Sequence, residues 1–151
     1  MSKSGLFVGA VFVAGVSVFG YQLFLQPEAV GHSMAQPDLT GIKDGAPIAQ
    51  VVVPGSFSDN AQLGQRIFEA KCSACHGENA AGQKGVAPPL VHKIYEPSHH
   101  SDMAFVLAAR NGVRAHHWNF GNMPQVEGIT DGEVQLVATY VRELQRANGI
   151  N

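Results

Sequence analysis

The sequence predicts a mainly α-helical domain preceded by a membrane-spanning helix. Three observations carry this. An uncharged apolar run stands near the N-terminus, and three later stretches combine capping residues with apolar positions at helical spacing. The loops between them are long and rich in glycine and proline.

The chain has 151 residues, room for one ordinary domain and an additional segment. Ten Lys+Arg stand against twelve Asp+Glu, a formal charge of −2. A nucleic-acid partner would call for a basic patch, and this balance offers none.

From Gly5 to Leu25 there is no charged residue, and Lys3 precedes the run. About 20 apolar residues suffice to cross a bilayer as a helix. Lys3 favours a cytoplasmic N-terminus with the rest of the chain exported, and Tyr21 and Gln22 suit an interface position. The competing reading is a cleaved signal peptide, with Ser33-Met34-Ala35 as the small-residue site. Signal h-regions run about 7–15 residues. This run is longer and the site lies well beyond it, so residues 1–25 read as an uncleaved anchor. Either reading delivers the downstream residues to the same side of the membrane. A buried core helix is disfavoured, because no nearby segment has the pattern of a packing partner.

Residues 26–57 read as a linker. Pro27, Pro37, Pro47 and Pro54, with Gly31, Gly41, Gly45 and Gly55, leave no helical or alternating period. Val51-Val52-Val53 is open to a short strand or a packed segment, but an extended linker is favoured. A flexible tether of this length spans about 30 Å.

Residues 58–151 read as globular. Ser58 caps a predicted helix through about Lys71, with Ala61, Gly64, Ile67 and Phe68 on one face. A loop with Gly77, Gly82 and Gly85 leads to Pro88-Pro89-Leu90. Ser101 caps a second helix, Asp102 to Asn111, ended by Gly112. Within it, Met103 reads as a core thioether. A further loop carries Trp118 to Val126. Thr130-Asp131-Gly132-Glu133 is a capping box that opens a third helix, with Val134, Val137, Tyr140, Val141 and Leu144 at helical spacing. So small a domain with such long loops makes a thin core of its own. A large apolar cofactor would complete it.

Cys72 and Cys75 are the chain's two cysteines, and His76 follows directly. C-x-x-C-H reads as a c-type haem attachment. Two thiols three residues apart can each add to one vinyl group of the same porphyrin, which leaves the next residue's imidazole beneath the iron. A disulfide-exchange dithiol would want a βαβ setting. A structural zinc site would want four ligands, usually two such pairs. Neither context is present in the pattern.

For the sixth iron ligand, Met123 is favoured among four methionines. It stands in Gly121-Asn122-Met123-Pro124, 47 positions after His76, and Pro124 stiffens the backbone beside it. Met/His ligation raises the reduction potential and suits electron transfer. A histidine from His116-His117 is the alternative ligand. An iron open on that side would instead suit a haem sensor or enzyme.

On these residues, 58–149 resemble the class I c-type cytochromes in their membrane-anchored bacterial form. The resemblance rests on Gly64 and Phe68 ahead of Cys72-Ser73-Ala74-Cys75-His76, then Ala87-Pro88-Pro89-Leu90, Asn122-Met123-Pro124, and Tyr140 on the last helix. It implies a fold in which the first helix of the haem domain crosses the last, with Gly64 and Phe68 meeting Tyr140. It implies that the Pro88 carbonyl accepts the Nδ1 proton of His76, that Leu90 packs on the ring, and that one haem c is held covalently by Cys72 and Cys75. It also implies a non-enzymatic one-electron carrier on the periplasmic face of a bacterial inner membrane. Its partners would be a cytochrome bc complex and a terminal oxidase or photosynthetic reaction centre. The alternative is a haem subunit of a larger oxidoreductase complex.

His92, His99, His100, His116 and His117 also lie in the domain. A second metal site, such as copper, is one reading. Histidines on the surface or against the haem propionates are favoured, because adjacent side chains tend to point apart. Trp118 and Phe120 read as haem-pocket packing, and Arg114 as a propionate contact. Arg66, Lys71, Lys84, Lys93, Arg110 and Arg114 outnumber Glu69, Glu78, Glu96 and Asp102 by only two. That excess favours an ordinary solvated surface over a positive docking face.

Overall fold

A computed structural model describes the backbone of residues 3–24 and 37–151, and the side chains of 11–21 and 37–151. The chain divides into two units, Met1–His32 and Ser33–Asn151.

In the first unit, helix α1 spans Lys3–Phe24, 22 residues. Where side chains are described, Phe12, Val13 and Phe19 are exposed. The Ser17 hydroxyl donates to the Val13 carbonyl at 2.8 Å, which satisfies it within the helix. Residues 11–21 make about 16 Å of helix. Among the described residues no helix is long and apolar enough to cross a membrane. Residues 25–36, including the candidate cleavage site Ser33–Ala35, lie outside the described residues.

The second unit is built on α2 (Asp59–Lys71) and α5 (Asp131–Ala147). The Ser58 hydroxyl accepts from the Ala61 N–H at 3.3 Å and donates to Glu143 at 2.6 Å. One side chain thus caps α2 and ties its start to α5. The two helices cross at Gly64, where a Cβ would collide with the Leu136 carbonyl and stand 3.1 Å from the Tyr140 Cβ. That approach lets Tyr140 pack against Phe68 and Phe57, with ring centroids 5.6 and 5.2 Å apart. Phe68 and Leu144 are fully buried, each stabilising the fold by about 1.5–3 kcal/mol.

Between them lie a short helix α3 (Ser73–His76), 3₁₀ turns at Glu78–Ala80 and Lys93–Tyr95, and α4 (Asp102–Asn111). Among the described residues there is no strand, only the isolated bridges Gln83–Ala87 and Val113–Met123. Helix α4 buries Val106 and Ala109 against Val134 of α5, forming a second apolar cluster with Phe105, Val126 and Ile129. Gly112 ends it at φ +72°, where a side chain would be strained. Ser101 stands at its N-cap but makes no capping hydrogen bond with its side chain.

Met103 does not join the core: it is 52 % exposed. The buried stripe of α4 begins with Phe105 and Val106, so the first turn stays in solvent. Residues 37–57 carry no regular structure, but they are hydrogen-bonded to the globular unit. The Gly45 N–H donates to the Lys84 carbonyl, and those of Ile48 and Ala49 to the Ala81 carbonyl, at 2.9–3.1 Å. Val52 exchanges two 2.8 Å bonds with the Asn148 side chain.

Candidate functional site

Cys72 ends α2, its N–H bonded to the Phe68 carbonyl at 2.8 Å, and its own carbonyl receives the N–H groups of Cys75 and His76. Both thiols and the imidazole thus sit on one turn. Neither cysteine is disulfide-bonded. Burial and the neighbouring Cys75 push the Cys72 thiol up to about 11. Disulfide-exchange cysteines are activated by the opposite shift, so the dithiol reading loses ground on chemistry as well as context.

His76 is 8 % exposed. Its Nδ1 lies 2.9 Å from the Pro88 carbonyl, which can only accept. Nδ1 therefore carries the proton and Nε2 presents a bare lone pair. Burial lowers the His76 pKa, and the Pro88 contact partly offsets this. Pro88 is brought there by a loop folded back on itself. The Gly82 N–H donates to the His76 carbonyl at 2.7 Å, and the Leu90 N–H to Ala80 at 2.9 Å. Gly82 is at φ +72°, and a Cβ on it would come within 2.8 Å of the Pro88 carbonyl carbon. Leu90 is partly buried against the main core.

Met123 rides on a separate loop. Its N–H and carbonyl exchange 2.9 Å hydrogen bonds with Val113. The Asn122 side chain accepts from the Ala115 N–H at 2.9 Å, within the turn so closed. Trp118 on this loop is 5 % exposed, stacks with Phe120 at 5.6 Å, and its Nε1 has no hydrogen-bond partner. The Tyr95 phenol, raised by burial and partly eased by the Trp118 N–H, lies near but outside hydrogen-bond geometry. Arg114 is exposed.

The histidine pairs do not diverge as adjacency suggested. The His99, His100, His116 and His117 rings form one cluster, with His99, His100 and His117 offering ligand nitrogens within 4.8 Å of one another. The turn at Glu96, whose carbonyl accepts the N–H groups of both His99 and His100, brings both rings against the 116–117 pair. Burial, followed by the neighbouring histidines, lowers the His117 pKa; burial is also the main cause of the lowering at His100.

The Cytochrome c family model matches residues 61–145, from the first turn of α2 to the last turns of α5. The chain belongs to the cytochrome c family. It is 38 % identical over 87 residues to the cbb3-type cytochrome c oxidase subunit FixP of Bradyrhizobium sp. (strain ORS 278). It is 34 % identical over 113 residues to the subunit CcoP of Cereibacter sphaeroides. These matches cover 56 % and 69 % of this chain but only 28 % and 37 % of the relatives, so the chain spans about a third of their length.

The residues present fit the haem c that a cytochrome c carries. Two unoxidised thiols share a turn with an imidazole already held in the ligating tautomer. The buried Trp118 N–H lacks an acceptor that a propionate would supply. As a member of the cytochrome c family the chain carries, at Cys72 and Cys75, the thiols that would attach a haem c covalently.

Three supporting side chains escaped the sequence. Gln83 Nε2 donates to the Ala74 and Cys75 carbonyls at 2.9 and 3.2 Å, capping α3 beneath the cysteines. The buried Gln145 amide holds the carbonyls of Leu90 and Tyr95 at 2.8 and 3.0 Å. Buried Arg142 pairs with Asp102 at 2.7 Å and donates to the carbonyls of Tyr95 and His100. Gln145 and Arg142 act over long sequence separations and Gln83 across a loop, and no local motif announces any of them.

Proposed function

We propose that His76 and Met123 are the two axial ligands of the haem iron, and that the domain passes single electrons to a terminal oxidase from a membrane tether. The 2.9 Å contact between His76 Nδ1 and the Pro88 carbonyl carries the first part, because it leaves Nε2 as the iron-facing nitrogen. Bound haem c supplies a one-electron couple. The chain's residues hold that couple in place: Cys72 and Cys75 by covalent attachment, Pro88 by orienting His76, and Leu90 by packing against the ring. With haem c bound, the Met123 thioether would be its second protein ligand and would raise the potential.

The relatives' identity as cbb3-type oxidase subunits favours an oxidase as electron acceptor. They also favour a second reading, in which the domain is a fixed subunit of such a complex. In either case residues 5–25 serve as a single transmembrane anchor in a bacterial inner membrane and place the haem domain in the periplasm. A cytochrome bc complex is the fitting donor to a mobile carrier.

The oxidised protein is expected to show the far-red sulfur-to-iron charge-transfer band of Met ligation, absent in Met123→Ala. Carbon monoxide binding to the reduced wild type at neutral pH would overturn the Met123 assignment. A haem-stained native gel of solubilised membranes separates the two readings: a small band supports the carrier, a stable large one the fixed subunit.

A further inference from the structure

Outside the haem site, four imidazoles from two loops meet at one place. The His99–His100, His99–His117, His100–His117 and His116–His117 ring centroids are 4.7, 5.3, 5.2 and 4.2 Å apart. The His99 and His117 Nε2 atoms are 3.4 Å apart.

That separation identifies a geometry. Imidazole nitrogens bound to zinc at about 2.0–2.1 Å in a tetrahedron are about 3.3–3.4 Å from one another. In a square plane the same bonds place adjacent nitrogens only about 2.8–3.0 Å apart. The observed 3.4 Å, a hydrogen-bond contact between the two rings without an ion, matches the tetrahedral edge and exceeds the square-planar one. The third ligand, His100, brings a nitrogen within 4.8 Å of the others, and its ring moves inward to complete the set.

The tautomers of His100 and His116 suit a metal, which would displace the proton shared between His99 and His117. His100 Nδ1 lies 2.7 Å from the Ile94 carbonyl, and His116 Nδ1 lies 2.9 Å from the Arg114 carbonyl. Both rings must carry their proton on Nδ1, which leaves Nε2 as a lone pair. This is the outer-shell arrangement that orients metal-bound histidines. Arg142 also holds the His100 carbonyl, so the backbone of this ligand is fixed from α5.

We infer that His99, His100 and His117 form a binding site for a tetrahedral divalent cation of the zinc class. The fourth position goes to water or to His116. Such an ion would pin the turn 96–100 to the loop 113–123, which carries Met123. The site rests on Met123 being the sixth haem ligand, because a haem-bound His117 could not serve it.

The test uses the full-length haem-loaded protein in detergent, stripped with a chelator, desalted and titrated with zinc chloride against a chromophoric indicator. Zinc and iron are counted by mass spectrometry, and the zinc environment is read by X-ray absorption. The expected result is about one zinc per iron, with nitrogen ligands at about 2.0 Å. His99→Ala, at an exposed position that spares the fold, should weaken binding by about 100-fold or more, since even outer-shell losses cost 10–100-fold. His100→Gln should do the same while the haem spectrum stays unchanged. An oxygen-only zinc environment, or uptake indifferent to both variants, overturns the site. So does a protein that takes up no zinc while His99→Ala shifts the haem spectrum, which would assign the cluster to the haem instead.

Discussion

The two loops that flank the cofactor site are anchored in different places. On the His76 side, residues 77–91 are bound to the helical turn that bears His76 at several points, Gly82 and Pro88 to His76 and the Gln83 side chain to Ala74 and Cys75, and the loop is closed on itself by Leu90 to Ala80. Gln145 reaches across from α5 to hold Leu90 as well. On the Met123 side, the loop is held by a two-bond bridge to Val113, the Asn122 contact to Ala115, the Val126 N–H to the Ala109 carbonyl and the His117 contact with His99. A covalent site must form once and persist, so its loop is over-determined. The Met123 loop is tied instead to α4 and to the turn that carries His99.

The largest effects should come from the glycines that let each loop close. Gly82 and Gly112 share φ +72°, and each would aim a Cβ at backbone, toward Pro88–Pro89 and toward the Met123 carbonyl at 2.6 Å. Left-handed strain costs about 1–3 kcal/mol and overpacking about 1–3 kcal/mol more. Gly82→Ala is expected to lower stability by about 2–6 kcal/mol on those two grounds and to cut the yield of covalently haem-stained protein. Gly112→Ala carries similar strain, yet should leave haem attachment intact and weaken only the Met–iron band. Equal loss of attached haem in both variants would break the distinction.

A milder pair sharpens it. Gln83→Leu removes the donor shared by the Ala74 and Cys75 carbonyls, surface bonds worth about 0.5–1.5 kcal/mol each. Asn122→Ala removes one exposed contact, about 0.5–1.5 kcal/mol. Denaturant melts should rank Gln83→Leu below Asn122→Ala. Redox titration should show the reverse, with Asn122→Ala moving the potential more.

How much of this could be read from residues alone depends on range. The caps at Ser58 and Thr130 and the helix end at Gly112 are local chemistry, and they stand where the sequence placed them. The Gly64 and Phe68 contact with Tyr140 spans the domain and came through the family resemblance, since spacing says which face is apolar but not what it meets. Met103 fell the other way because helical periodicity cannot say where along α4 the neighbouring helix stops. The packing of 37–57 depends on backbone groups finding loop carbonyls, which composition does not encode. The histidine cluster was hidden for a related reason: alternation governs strands, whereas the turn at Glu96 brings both adjacent rings against the 116–117 pair.

The smallest effect separates the two sides by acid. The N-terminus of α5 belongs to the Met123 side, since Val134 packs with Val106, Val126 and Ile129, while its C-terminal half packs with α2. That N-terminus is fixed by Glu133, whose carboxylate accepts from the Thr130 N–H at 2.7 Å and the Thr130 hydroxyl at 2.8 Å. The backbone bond, then the hydroxyl, lower its pKa below the ordinary carboxylate value. A depressed folded-state pKa means a contribution fully present above the unfolded value of about 4.3 and lost as pH falls through the folded one. On acidification the Met–iron band should therefore fade before helical ellipticity does. Glu133→Gln keeps an acceptor but cannot titrate, so it should flatten that acid limb while barely changing stability at neutral pH. An unchanged limb in Glu133→Gln would move the acid-sensitive contact elsewhere, with the Arg110–Asp131 pair beside it as the next to test.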